Sequence, residues 1–238
     1  MDRVTLETLR GYFPDGAFAR RVQPLPEYGC IYVRNAKAAS STILLWLHRI
    51  HTGDHDFNPG NIYRDHRLPT VAEVGMDTVV RMLGGEALRF SFVRHPIRRC
   101  ESTYLDRIAD TSRKHAWRGR VQQALGLPVD PNHVPTFDEF VDALEAQDPI
   151  DLDPHWRPQH LNLMHGVVEL DYVGRLESFG ADLERVRELA GMPQVPLEVR
   201  NRRAAVADSL FDGRPDLLRR VGEVYARDFE LYGYERAA

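Results

Sequence analysis

The chain has 238 residues, 43% hydrophobic and 28% charged, with 31 basic and 35 acidic side chains and a formal net charge of −4. That is ordinary globular composition, long enough to bury a core without disulfides or metals, and its mildly acidic balance argues against a general nucleic-acid binder. The longest apolar run, Ile43 to Leu47, is far short of the ~20 residues of a membrane helix, and no apolar stretch of the signal-peptide kind follows Met1. With only Cys30 and Cys100 available for cross-linking, the expectation is a single cytoplasmic domain over residues 1–238 with no integral membrane segment.

In chain order, Tyr28 to Val33 reads as a buried strand after a Pro-rich lead, and a strong helix pattern starts at Ser40, Ser41 and Thr42. Residues 52–67 read as loop. Leu88 to Val93 is a second strand, broken at Arg94-His95-Pro96, where proline suits the first turn of a helix running to about Asp110. Residues 113–135 read as a loop excursion with few apolar side chains. Thr136 and Glu139 form a capping box opening a helix to about Gln147. A third strand is expected over Asp171 to Gly174, a helix from Phe179 to Ala190 ending at Gly191, and a last helix from Pro215 to about Tyr232. Strands alternating with helices predict a three-layer, P-loop-like α/β domain with a central, mostly parallel sheet flanked by helices.

Two strand-to-helix turns carry the chemistry. The first is Arg34-Asn35-Ala36-Lys37-Ala38-Ala39-Ser40-Ser41-Thr42. Backbone N–H groups at a helix start attract an anion, small residues allow close approach, Lys37 adds a point charge, and the three hydroxyls add donors. Only Lys37 and Lys114 are lysines among the 31 basic residues, so a lysine here is notable. The loop has no glycine, unlike the phosphate loop of nucleotide triphosphatases. The second turn runs from Val93 to Tyr104 and adds Arg94 at the strand end and Ser102 two helical turns on. At least one of Arg98 and Arg99 is expected on solvated helix surface. Two such turns suit a ligand with two separated anionic groups.

The histidines predict no metal site. His155, His160 and His165 recur every five residues, about 140° apart on a helix, so they share no ligating face. No GxSxG, GxGxxG or CxxC pattern is present.

Assembled, these residues resemble the Golgi-type carbohydrate sulfotransferases, the group of heparan sulfate 2-O- and chondroitin 4-O-sulfotransferases. Ile31 to Ser40 resembles the family's 5′-phosphosulfate loop, and Val93-Arg94-His95-Pro96 through Arg99 and Ser102-Thr103-Tyr104 its 3′-phosphate motif. His155-Trp156-x-x-Gln159, Tyr172-Val173-Gly174-Arg175-Leu176-Glu177 and Tyr225-Ala226-Arg227-Asp228-Phe229 through Tyr234 are similar to three further family segments, in the same order. Ala36 stands where the family usually has proline before the lysine. The family's N-terminal anchor is missing, which implies a soluble, bacterial-style relative.

The resemblance implies a sulfotransferase using 3′-phosphoadenosine 5′-phosphosulfate (PAPS) and releasing adenosine 3′,5′-bisphosphate (PAP), with a hydroxyl-bearing acceptor, a saccharide by the same resemblance, as its partner. By the same resemblance Lys37 would neutralise charge on the leaving phosphate, and Arg34 would hold sulfate oxygens. Ala38, Ala39, Ser40, Ser41 and Thr42 would cradle the 5′-phosphate, and Arg94 and Ser102 would bind the 3′-phosphate. Arg175 and Arg200 would lie around the nucleotide. The acceptor hydroxyl needs a general base with a pKa near working pH. His66, in the loop between the two motifs, is the first candidate and His155 the second. The alternatives are a P-loop small-molecule kinase, which would need magnesium and a glycine-rich loop, and a non-catalytic nucleotide-binding relative.

Overall fold

The structure is a computed structural model and describes residues 4–13, 17–112, 116–199 and 209–236. Its contacts divide the chain into two compact units, Met1–Val93 with Leu161–Arg203, and Arg94–His160 with Ala204–Ala238.

The first unit holds a four-stranded sheet in the order β1 (Val22–Leu25), β2 (Cys30–Val33), β3 (Leu88–Val93), β4 (Tyr172–Arg175). β1 and β2 form an antiparallel hairpin, whereas β2, β3 and β4 run parallel. The sheet is therefore mostly parallel, as expected, and its strands fall within two residues of the sequence reading. Two differences are local. The lead expected to be only Pro-rich contains β1, an edge position that tolerates Pro24. Tyr28 belongs to a 3₁₀ turn, Pro26–Tyr28, closed by Gly29 in the left-handed region (φ 54°).

Helices α1 (Leu6–Arg10), α2 (Ser40–Thr52), α3 (Ile62–Asp65), α4 (Val71–Val74) and α5 (Met76–Arg81) precede β3. α2 is the central helix: every residue from Ser40 to Ile50 is buried, the polar Ser40, Ser41, Thr42, His48 and Arg49 along with the apolar Ile43 to Leu47. It packs with Tyr32, Phe90 and Phe92 of the sheet and with Leu183 and Val186 of α10 (Phe179–Leu189) in one core. Gly174 of β4 faces the Phe92 ring so closely that a Cβ there would lie 2.5 Å from it, so only glycine fits. The loop expected over 52–67 contains α3, whose N-cap Asn61 accepts from the Tyr63 N–H.

The second unit is helical: α6 (Pro96–Thr103), α7 (Ala116–Ala124), α8 (Phe137–Glu145), α9 (Gln159–Asn162, whose last two residues belong to the first unit), α11 (Pro215–Val224) and α12 (Ala226–Tyr232). α6 passes into a wider turn over Tyr104–Ala109, matching the helix expected to about Asp110. The Thr136 capping box is present. The loop expected over 113–135 is corrected by α7. Its packing uses polar side chains that an apolar pattern does not reveal: buried Arg118 donates to the Ile108 and Asp110 carbonyls at 2.8 and 2.7 Å, and buried Gln122 donates to the Asp130 carbonyl at 3.0 Å. The single helix expected over 215–232 breaks at Tyr225, whose hydroxyl donates to the Trp156 carbonyl at 2.6 Å.

Among the described residues no helix is long and apolar enough to cross a membrane, and no three His, Cys, Asp or Glu side chains converge as metal ligands. Burial pushes the thiols of Cys30 and Cys100 up to about 12, so neither is a nucleophile at neutral pH.

Candidate active site

In the first unit the chain leaves β2 through Arg34–Ala39 and enters α2. Lys37 and Ala39 adopt positive φ, 68° and 58°, so the loop takes the left-handed turns that a glycine-rich loop would take, without glycine. Each non-glycine residue held this way costs on the order of 1–3 kcal/mol, which the surroundings must offset. Asn35 supplies part of the offset. Fully buried, it donates from Nδ2 to the Phe92 carbonyl at 3.0 Å, and its own carbonyl accepts from Ser40 Oγ at 3.1 Å. Asn162 Nδ2 reaches its Oδ1 at 3.4 Å. The N-cap of α2 is Ala39, whose side chain makes no capping hydrogen bond, and Ser40, Ser41 and Thr42 are buried at the first turn. The start of a 13-residue helix is thus presented on a loop of small residues beside Lys37.

Arg34 is half-buried, and its buried Nε has no hydrogen-bond partner among the described residues. Its guanidinium lies over the Tyr63 ring at 4.8 Å, and the Tyr63 hydroxyl donates to Ser40 Oγ at 3.5 Å. α3 therefore folds back onto the loop and brings His66 with it. Burial, and secondarily the Arg34 charge, hold the His66 imidazole below the ordinary histidine range, so it is neutral at physiological pH. The Leu68 N–H donates to His66 Nδ1 at 3.3 Å. Tyr63 and Asn35 were not singled out in the sequence. Asn35 lies inside the motif, but an asparagine in a loop gives no sign that it is fully buried. Arg175 ends β4, exposed, with its N–H donating to Asp182 Oδ2 at 2.7 Å. Arg200 lies outside the described residues.

In the second unit, Gln159 clamps the backbone of Arg94 on both sides: Oε1 accepts from the Arg94 N–H at 3.0 Å and Nε2 donates to the Arg94 carbonyl at 2.8 Å. Gln159 is in turn held by fully buried Asp228, which accepts from the N–H groups of Gln159 and His160 at 2.6 and 2.9 Å and from His160 Nδ1 at 2.7 Å. Arg98 is on the surface, paired with Glu101, as expected for one of the two arginines. Arg99 is the other kind: buried, it donates to the carbonyls of Arg157 and Pro154 at 2.8 and 3.1 Å. Thr103 Oγ1 donates to the His155 carbonyl at 2.8 Å, and Ser102 lies half-buried on α6. The arginine motif, the His155–Gln159 segment and the Tyr225–Asp228 segment, far apart in sequence, thus form one hydrogen-bonded assembly.

His155 has a carboxylate partner. Its Nδ1 lies 2.6 Å from Asp153 Oδ1 and its Nε2 3.2 Å from Arg107 Nη2. The Arg107 guanidinium lies over the Trp117 ring at 4.2 Å, and Trp117 meets His155 edge-on at 5.6 Å. Burial raises the Asp153 pKa, but hydrogen bonding and charge from His155, with the charge of Arg120, outweigh it and the net shift is downward. Asp153 is therefore an ionised acceptor.

The profile of the Sulfotransferase family matches residues 25–235, nearly the whole chain. The chain belongs to the sulfotransferase family. It is similar to carbohydrate sulfotransferase 14 of Homo sapiens, 29% identical over 157 residues that cover 61% of this chain and 42% of the relative. The Danio rerio protein of that name is 30% identical over 113 residues, 44% of this chain and 30% of the relative. Carbohydrate sulfotransferase 12 of Xenopus laevis is 29% identical over 128 residues, 49% and 30% of the two chains. The matched region thus spans less than half the length of these relatives. No solved structure matches.

Proposed function

We propose that this sulfotransferase-family protein moves a sulfuryl group from PAPS to a hydroxyl of a carbohydrate acceptor by in-line displacement with a histidine base. The observation that carries the reading is the turn at the head of α2: positive-φ backbone at Lys37 and Ala39, small side chains, and a lysine beside a helix start that no side chain caps. The Nε of half-buried Arg34, without a hydrogen-bond partner among the described residues, fits the same anionic group.

Sulfuryl transfer resembles phosphoryl transfer, so most of the catalysis is positioning and charge stabilisation. Lys37 and the N–H groups of the loop neutralise the leaving 5′-phosphate. Ala38 and Ala39 let that backbone approach, and Ser40, Ser41 and Thr42 donate to it. Arg34 orients sulfuryl oxygens. Arg94 and Ser102 bind the 3′-phosphate, with Gln159 fixing the Arg94 backbone. Arg175 and Arg200 are weaker nucleotide contacts. His66 and His155 are the candidates for taking the acceptor's proton. A carbohydrate acceptor is supported by the relatives' names.

The test is transfer of radiolabelled sulfate from PAPS to a panel of desulfated glycosaminoglycans and neutral oligosaccharides. Label in a saccharide product with wild type and none with Lys37→Ala is expected. Turnover of ATP–magnesium in place of PAPS would support the kinase alternative.

A further inference from the structure

Within the first unit, the half-buried cation of Arg34 is held by an aromatic face and not by a carboxylate. Burial lowers its pKa, and the other ionisable groups acting on it are Tyr63, Tyr32 and Arg20, with no carboxylate among them. The Tyr63 ring lies under the guanidinium at 4.8 Å. That mode of support matters chemically. An ion pair would occupy the N–H edge of the guanidinium and neutralise its charge, whereas a ring against its face leaves edge and charge to a ligand. The Arg34 Nε, which has no hydrogen-bond partner among the described residues, belongs to that edge. Tyr63 can act as a fixed platform because its backbone is anchored twice. Its neighbour Ile62 is buried in the core with α2, and the Asn61 side chain accepts from the Tyr63 N–H at 3.1 Å. The Tyr63 side chain is nevertheless 46% exposed. The single proton of Ser40 Oγ goes to the Asn35 carbonyl at 3.1 Å, so the Tyr63 hydroxyl is the donor in its 3.5 Å contact with Ser40. One side chain thus touches both ends of the turn from Arg34 to Ser40.

We propose that Tyr63 is a positioning residue for the sulfuryl group: its ring sets the plane of the Arg34 guanidinium and keeps the N–H edge for sulfuryl oxygens. This rests on the sulfotransferase reading above, in which Arg34 meets the sulfuryl group and Lys37 the 5′-phosphate. The consequence is selectivity between the two forms of the nucleotide. PAPS and PAP differ only by the sulfuryl group, and both carry the 5′-phosphate. A residue acting through Arg34 therefore changes the affinity for PAPS and spares PAP. A residue that merely shapes the turn changes both.

The experiment is calorimetric titration of the full chain with PAPS and with PAP, in wild type and in variants at the two positions. Tyr63→Leu and Tyr63→Gln both remove the ring. Each is expected to weaken PAPS by about three- to tenfold, as loss of a partly desolvated cation–π contact would do, and to leave PAP little changed. Tyr63→Phe and Tyr63→Trp keep an aromatic face and should retain PAPS affinity. Arg34→Met should weaken PAPS by about tenfold or more, and adding Tyr63→Leu to it should cost nothing further, because the two residues act as one unit. Equal losses for PAPS and PAP without the ring, or additive losses in the double variant, would overturn the positioning role. Full PAPS affinity in Tyr63→Leu and Tyr63→Gln would overturn it as well. Failure of wild type to bind either nucleotide would instead overturn the sulfotransferase reading itself.

Discussion

The loop at the head of α2 and the backbone around Arg94 are both strand-to-helix turns, yet they are stabilised differently. Residues 34–42 combine near and distant contacts: Ser40 holds the Asn35 carbonyl and Ala39 is the N-cap of α2, while Phe92 and Asn162 meet Asn35 and Tyr63 meets Arg34 and Ser40. Arg94 is held by Gln159, Gln159 by Asp228, and the adjoining residues by Arg99 and Tyr225. The first turn carries its candidate chemistry in its own contiguous residues, with its distant contacts spread over several elements. The second depends on segments more than 60 positions away, and its geometry should fail when any link is cut.

That contrast predicts different consequences for substitutions. Lys37→Ala should have the largest catalytic effect, lowering PAPS turnover by a factor on the order of 10² or more while PAP binding weakens far less, because the charge it meets develops in the transition state. Turnover and calorimetry on one preparation separate the two. Asp228→Ala should have the largest structural effect. It orphans the N–H groups of Gln159 and His160, and at about 1–3 kcal/mol for each unsatisfied buried group the loss in urea unfolding should be several kcal/mol, with weaker PAP binding through Arg94. Asn35→Ala should cost less stability, about 1–3 kcal/mol, and should lower PAPS affinity by releasing the loop. A stability loss without change in PAPS binding would show that the loop does not depend on its tie to β3.

The smallest effect is in pH dependence. His48 on α2 is buried against Phe57, ring centroids 3.7 Å apart, and neither ring nitrogen has a hydrogen-bond partner among the described residues. Burial, followed by smaller effects of the neighbouring charges, pushes its pKa down to about 4 from 6.5. Below pH 6.5 the unfolded chain takes up a proton that the folded chain refuses, so stability falls with acid until about pH 4. His48→Leu should flatten that part of the stability curve. An unchanged slope would mean another group dominates.

The same contrast explains what the sequence made legible. β2, α2, β3, the Thr136 capping box and the residues of the first turn follow from local patterns of strand, small residue and helix start, and they are where the sequence places them. α7 was hidden because its buried face is built from Arg118 and Gln122, whose burial becomes favourable only when distant loop carbonyls meet them. Tyr63 carries no local signal because its partners, Arg34 and Ser40, lie more than 20 residues away in the chain. The Tyr225 and Asp228 segment was visible as a motif, but its task of holding the His155–Gln159 segment is a long-range relation that residue spacing does not encode.

The most direct test of the central claim is calorimetric titration of the full chain with PAP and with adenosine 5′-monophosphate, in wild type and Arg94→Ala, without added metal. The account predicts a clear preference for the bisphosphate that Arg94→Ala largely removes, with the monophosphate little changed. Equal affinity for the two nucleotides in wild type, or equal losses for both in the variant, would contradict a 3′-phosphate site at Arg94.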